Sequence, residues 1–203
     1  EVETPILQPQ YGGANAKPFT TYHNSLEQEF YLRIADELYL KRLIVGGFEK
    51  VYEISKNFRN EGMDKTHNPE FTMLEFYCAY SDVYKIMHFT ESMIKNIAKE
   101  IKFNSDYIDF NKKFDEFSFF ESLNANCNAN ISKMSKLELY DFLISAKVDV
   151  SKTFGYGKLL DKAFSYFVEP NLINPTFVLD YPIELSPLAK KKSTPIQIHC
   201  FKK

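Results

Sequence analysis

The sequence predicts an α+β fold, and three observations predict it. Residues 50–59 and 70–80 are strand-like runs on either side of a polar loop with Gly62 and Pro69, the pattern of a long-looped β-hairpin. Directly afterwards Val83, Ile86, Met87, Ile94, Ile97, Ala98 and Ile101 recur at helical spacing behind Ser81 and Asp82, either of which can cap a helix. That helix is amphipathic and is expected to pack on a sheet. Ahead of the hairpin, Asp36 stands as the N-cap of a helix through Leu38, Leu43 and Ile44 that stops at Gly46-Gly47, with Glu37 at its start.

The other elements follow in chain order. Glu1-Val2-Glu3-Thr4-Pro5 reads as a strand already under way, and because the first residue is not Met the start reads as a cut end. Tyr11-Gly12-Gly13-Ala14-Asn15-Ala16 is a small, flexible loop whose backbone can approach a ligand, an ordinary turn being the alternative. Residues 30–34 read as a strand. The stretch 103–130 is rich in Asn and Phe and has no clear period, after which helices are expected over 135–147 and 157–168 and a buried strand over 176–180. Pro182, Pro187 and Pro195 then interrupt a tail containing Lys190-Lys191-Lys192, expected to be weakly structured and solvated.

With 44% hydrophobic and 16% aromatic residues, the 203-residue chain can bury a sizeable core in one domain or at most two. A formal net charge of -2 excludes the broad basic face of a general nucleic-acid binder, so any RNA contact must be local or indirect. Cys78, Cys127 and Cys200 are an odd, widely spaced set that fits neither a disulfide framework nor a zinc site. This favours a reducing compartment. No apolar run approaches the roughly 20 residues of a membrane span and no signal-peptide plan opens the chain, so the cytoplasm, with an organelle as the alternative, is the expected location and no membrane partner is expected.

The chemistry concentrates in the hairpin, where Arg59, Glu61, His67, Asn68, Glu70 and Glu75 crowd one strand, loop and strand. Alternation along a strand puts Glu75 and Tyr77 on one face, a carboxylate beside a phenol hydroxyl that together suit an ammonium group. Glu37 is a candidate second carboxylate. Arg59 is the best anion binder, since its planar fork suits phosphate or carboxylate and each charge-assisted bond contributes about 1.5–3 kcal/mol. Glu61 can accept from an exocyclic amine and Phe71 can stack on a base. Against this stands a plainer reading: an Arg and a Glu two apart are often a surface ion pair of about 0–1 kcal/mol, and Phe71 and Tyr77 are also ordinary core aromatics. His23 and His88 have no partners at ligand spacing and read as structural or exposed. The sequence has no glycine-rich phosphate loop or dinucleotide fingerprint, and no Ser or Cys nucleophile with a matching base.

Phe58-Arg59-Asn60-Glu61 followed by His67-Asn68-Pro69-Glu70-Phe71-Thr72-Met73-Leu74-Glu75 resembles motif 2 of the class II lysyl-tRNA synthetases. In order and spacing, Glu1-Val2-Glu3-Thr4-Pro5 is similar to the end of motif 1, and Gly12-Gly13-Ala14 through Pro18-Phe19 to the lysine-binding loop. Tyr31-Leu32-Arg33-Ile34 through Leu40-Lys41-Arg42, Pro175-Thr176-Phe177 through Tyr181-Pro182, and Ser186-Pro187-Leu188 also agree, so the resemblance thins only between residues 103 and 152. It implies an antiparallel sheet flanked by helices, here an incomplete catalytic domain over residues 1–189 with a non-family or unstructured tail over 190–203.

The resemblance also implies roles. Gly13 and Glu37 would hold the α-amino group of lysine, Arg59 would be the catalytic residue bridging the lysine carboxylate and the ATP α-phosphate, and Glu75 with Tyr77 would take the ε-ammonium. Glu61 and Phe71 would address the adenine, with His67 and Asn68 beside the nucleotide. Lys65 or Thr66 stands where the family often has an arginine near the γ-phosphate. The implied reaction is ATP-dependent formation of lysyl-adenylate and transfer to tRNA(Lys), by a parent that is a homodimer. The implied metal is magnesium, with ligands beyond the end of this chain and none within it. Motif 3 is missing from these residues, as are the third carboxylate of the lysine pocket, the motif 1 helix and the N-terminal anticodon-binding barrel, which predicts little or no activity from the chain alone. Two alternatives remain: a truncated paralogue or pseudogene product that only binds, and a lysine ligase acting on a translation elongation factor.

Overall fold

The computed structural model describes residues 1–186 and Ala189. The expected tail of residues 190–203, with Lys190-Lys191-Lys192, Pro195 and Cys200, and the matched Pro187 and Leu188, lie outside the described residues. The chain divides into two compact units, residues 1–81 and residue 82 onward.

In the first unit, β1 (Leu7–Gln8), β2 (Thr20–His23) and β3 (Gln28–Leu32) form an antiparallel sheet in the order β1-β3-β2. Helix α1 (Glu37–Val45) follows, and then β4 (Lys50–Phe58) and β5 (Glu70–Cys78) pair antiparallel as the expected hairpin, from Lys50↔Cys78 to Phe58↔Glu70. The expected opening strand is corrected. Residues 1–5 are outside any strand, because Pro5 has no N–H to give and the Thr4 N–H goes to the Glu53 carboxylate (3.1 Å), leaving one backbone bond, Val2 N–H to Tyr52 C=O at 3.0 Å. The strand expected over 30–34 ends at Leu32, where the backbone changes partners: the Arg33 N–H still goes to the Ile6 carbonyl (2.9 Å), but its carbonyl accepts from the Phe58 N–H (2.9 Å).

The faces of β4 are also unusual. Val51, Glu53, Ser55 and Asn57 are buried while Tyr52 and Ile54 are exposed, so three of the four inward positions are polar. Glu53 pairs with Arg33, and Ser55 Oγ and Asn57 Nδ2 donate to Asp36, while Asn57 Oδ1 is buried without a partner among the described residues.

In the second unit, Asp82 caps α2 (Val83–Glu100), its carboxylate accepting from the Lys85 N–H at 2.9 Å. The apolar face of α2 packs through Val83, Met87 and Ile94 on Phe114, Phe177 and Leu179, although Ile97 and Ile101 at its far end stay exposed. The uninterpreted stretch contains β6 (Asp115–Ser118) and α3 (Phe119–Cys127), the latter closed by Asn128 at φ 50. Helices α4 (Lys136–Ser145) and α5 (Tyr156–Phe167) lie where expected, and Ser135 with Glu138 completes a capping box on α4. Strand β7 (Thr176–Leu179) pairs with β6 in parallel, a departure from the antiparallel expectation made possible by the helical crossover of α3–α5 between them. The core of this unit is Phe119, Leu123, Ile131, Leu139, Leu143, Leu159, Leu160, Ala163 and Phe164. The fold is α+β, as predicted.

Candidate functional site

The hairpin and the start of α1 position the site, and all of its residues belong to the first unit. Glu75 and Tyr77 share a face of β5, as alternation requires, and the Tyr77 hydroxyl donates to Glu75 Oε2 at 3.2 Å. Across the ladder they stand opposite Glu53 and Val51. Burial, and then the Asp36 carboxylate, push the Glu75 carboxyl above its ordinary range, with Glu37 adding to the rise while the Tyr77 hydroxyl and the Asp36 backbone N–H oppose it. The Tyr77 phenol is raised as well, first by burial and then by Glu75 and Glu37. The pair is therefore a half-buried carboxylate held against like charges. The ion pairs of this region use Arg33 with Asp36 and Glu53, and Lys41 with Glu37; none of them includes Glu75.

The glycine loop reaches the same place. Gly13 has φ +85, and a Cβ there would lie 3.0 Å from Glu37 Cβ and 3.2 Å from Ala35 Cβ. Only glycine allows both the left-handed backbone and the close approach, so the loop backbone is pressed against the residue that opens α1. At Gly12 an added Cβ would meet Leu38 Cδ1 at 2.7 Å.

Arg59 follows the end of β4, anchored by its backbone N–H to the Pro69 carbonyl (2.8 Å) and by Nε to the Ile34 carbonyl (3.3 Å). Its guanidinium lies 5.1 Å from the centroid of the Phe71 ring, which keeps it flat and aimed. Neither Nη makes a hydrogen bond among the described residues, so the outer edge of the fork is available to an anion. Glu61 is exposed and accepts from the Lys17 N–H at 3.4 Å, while the Asn60 N–H donates to the Lys17 carbonyl at 2.7 Å. These contacts clasp the two loops together.

The structure thus gathers Gly13, Glu37, Glu75 and Tyr77 in one group and Arg59 with Phe71 in another. His67 and Asn68 are exposed on the hairpin loop and join neither group: His67 Nδ1 lies 2.9 Å from both Asp64 carboxylate oxygens. Asp64 is held well below the usual carboxylate range, first by the Thr66 backbone N–H and then by the His67 and Thr66 side chains.

Sequence reasoning missed the layer beneath. Arg33 Nη1 donates to Glu53 Oε1 (2.7 Å) and to the Thr4 carbonyl (3.1 Å), and its Nε donates to the Lys56 carbonyl (2.8 Å). Asp36 was expected to cap α1, yet its side chain makes no capping bond. Its Oδ2 instead accepts from Ser55 Oγ (2.6 Å) and Asn57 Nδ2 (3.4 Å). The available signal was the run Glu53, Ser55, Asn57 at a period of two, which marks one polar strand face. Among the described residues no three His, Cys, Asp or Glu side chains are grouped to hold a metal ion. Among them, too, no helix is long and apolar enough to cross a membrane.

The family model for tRNA synthetases class II (D, K and N) matches residues 1–200. The chain is 50% identical over 199 residues to a lysine–tRNA ligase of Roseiflexus castenholzii, covering 95% of this chain and 41% of the relative. It is 48% identical over 200 residues to one of Porphyromonas gingivalis, covering 96% and 35%, and 49% identical over 201 residues to one of Helicobacter pylori, covering 96% and 40%. The chain spans about two fifths of the length of these relatives.

Proposed function

We propose, since the chain belongs to the class II tRNA synthetases (D, K and N), that it carries the lysine-recognising and α-phosphate-binding part of a lysine–tRNA ligase catalytic domain, residues 1–189. The observation that carries this reading is the Glu75–Tyr77 pair: a half-buried carboxylate among Asp36, Glu37 and Glu53 that has no Lys or Arg ion-pair partner among the described residues. Of the three amino acids this family serves, only lysine brings the cation that such a site lacks. Aspartate would be repelled, and asparagine would leave the charge unanswered.

In this reading Gly13 and Glu37 hold the α-amino group, and Arg59 spans the lysine carboxylate and the ATP α-phosphate. Phe71 and Glu61 receive the adenine, with His67 and Asn68 alongside the phosphates. The lysine carboxylate attacks the α-phosphorus in line, forming lysyl-adenylate and releasing pyrophosphate, and the lysyl group then passes to the terminal ribose of tRNA(Lys). Arg59 draws the two anions together and stabilises the charge that builds on the phosphate oxygens, so catalysis is positioning and electrostatics rather than covalent help. The family's magnesium would neutralise the triphosphate. The described residues do not fit it, because no three ligating side chains are grouped among them and Asp36, Glu53 and Glu37 are engaged by Arg33 and Lys41. The whole protein would act as a homodimer in the cytoplasm or an organelle.

The test is lysine-dependent ATP–pyrophosphate exchange, run on this chain and on a version extended through motif 3. Exchange with lysine, absent with aspartate or asparagine and abolished by Glu75→Gln, is the expected result for the extended chain. Exchange supported by aspartate or asparagine instead would overturn the reading, and exchange by the short chain alone would show that the hairpin residues suffice.

A further inference from the structure

We propose that Asp36 is a specificity-determining residue of the lysine pocket, acting through a buried and incompletely neutralised charge rather than by touching the ligand. The proposal rests on the lysine-pocket reading above. Asp36 stands at the N-cap position of α1, where a carboxylate usually accepts from its own helix. Here it makes no such bond and is 0% exposed, turned inward onto β4. Oδ2 is satisfied by Ser55 and Asn57. Oδ1 lies 3.2 Å from Arg33 Nε, but that N–H is donated to the Lys56 carbonyl, so Oδ1 is buried with no hydrogen-bond donor among the described residues.

Charge counting makes the point. Among the described residues Arg33 is the one cation paired with the two buried carboxylates Asp36 and Glu53, with Nη1 2.7 Å from Glu53. One negative charge is left over in the interior, directly behind Glu75. The groups facing Glu75 are Asp36 and Glu37 from the start of α1, Tyr77 from its own strand and Glu53 opposite it on β4. Among the described residues the nearby cations are Arg33, shared by Asp36 and Glu53, Lys41, held by Glu37, and Arg59, whose Nε goes to the Ile34 carbonyl and which forms no ion pair with Asp36 or Glu75. An interior with surplus negative charge is unfavourable until a cation arrives, and a neutral side chain of the same length cannot relieve it. The same charge has a second consequence. By pushing Glu75 up, Asp36 makes the carboxylate protonate earlier as the pH falls, so it strengthens the pull on an ammonium at neutral pH and brings forward its loss in acid.

The experiment is calorimetric titration of this chain with lysine and with norleucine, across a pH range from weakly acidic to neutral, for the parent, Asp36→Asn and Ser55→Ala. Asp36→Asn is expected to weaken lysine binding at neutral pH by at least roughly tenfold, the effect of one unit charge removed from as far as about 12 Å in a medium of effective dielectric about 20. It should leave norleucine unchanged and move the acid loss of lysine binding to lower pH. Ser55→Ala, which removes a bond to Asp36 but keeps its charge, should retain the preference for lysine. An unchanged lysine-to-norleucine ratio in Asp36→Asn, equal weakening of both ligands, or an Asp36→Asn chain that no longer unfolds cooperatively would make Asp36 merely structural and overturn the proposal. A parent chain that binds lysine no better than norleucine is the separate failure, that of the lysine-pocket reading itself.

Discussion

Along β4 the chain buries Glu53, Ser55 and Asn57 and leaves Tyr52 and Ile54 to solvent, whereas α3, α4 and α5 bury Phe119, Leu123, Leu139, Leu143, Leu159 and Phe164 in ordinary amphipathic fashion. The second interior is hydrocarbon, with Phe119 stacked on Phe164 at 4.6 Å, and its stability comes from area removed from water. The first retains apolar contacts through Ile34, Leu40, Val51 and Met73, but its centre is a set of charges around Arg33 that opposes folding unless every partner is present. One interior is held together by buried apolar area, the other by a set of charges that must all be partnered.

Substitutions sharpen that contrast. The largest effect is expected from Arg33→Met, which leaves the buried Asp36 and Glu53 unneutralised; a loss of about 5 kcal/mol is expected, since removing one partner of a buried ion pair is far more damaging than replacing all of them. Denaturant unfolding measures it, and a loss no larger than that of an apolar truncation would erase the distinction between the two interiors. Next comes Leu159→Ala in the hydrocarbon core, expected to lower stability by about 3 kcal/mol through lost transfer and a residual cavity. The same unfolding curves report it, and a negligible change would mean that α5 is not packed as described. The smallest is Ser135→Ala, which breaks the capping box on α4 at about 1 kcal/mol; faster amide exchange confined to the first turn of α4 is the expected signature.

Much of the frame was legible. The hairpin, α1, α2, α4 and α5 were marked by periodicity, by Ser81 or Asp82 as the cap of α2, and by the glycines that end α1, all of them local signals. Strand β6 was not, because Asp115-Glu116-Phe117-Ser118 has no strand pattern of its own and becomes a strand only by pairing with Thr176–Leu179, about sixty positions later in the chain. Within the site, Glu75 and Tyr77 could be placed on one face from alternation alone, and Gly13 could be suspected from its loop. The clasp between Lys17 and Glu61 joins distant positions and left no local trace.

The sequence by itself determined the α+β character, the hairpin and the residues that carry the resemblance to the lysyl-tRNA synthetases, because strand alternation, caps and motif spacing are written in neighbouring residues. Tertiary structure alone decided which face of β4 turns inward and what Asp36 does. Hydrophobicity would have put Ile54 inside and a helix-capping rule would have spent Asp36 on its own helix. The reverse holds because Arg33, more than twenty positions from Lys56 and twenty from Glu53, supplies the donors and the charge that make a polar interior tolerable.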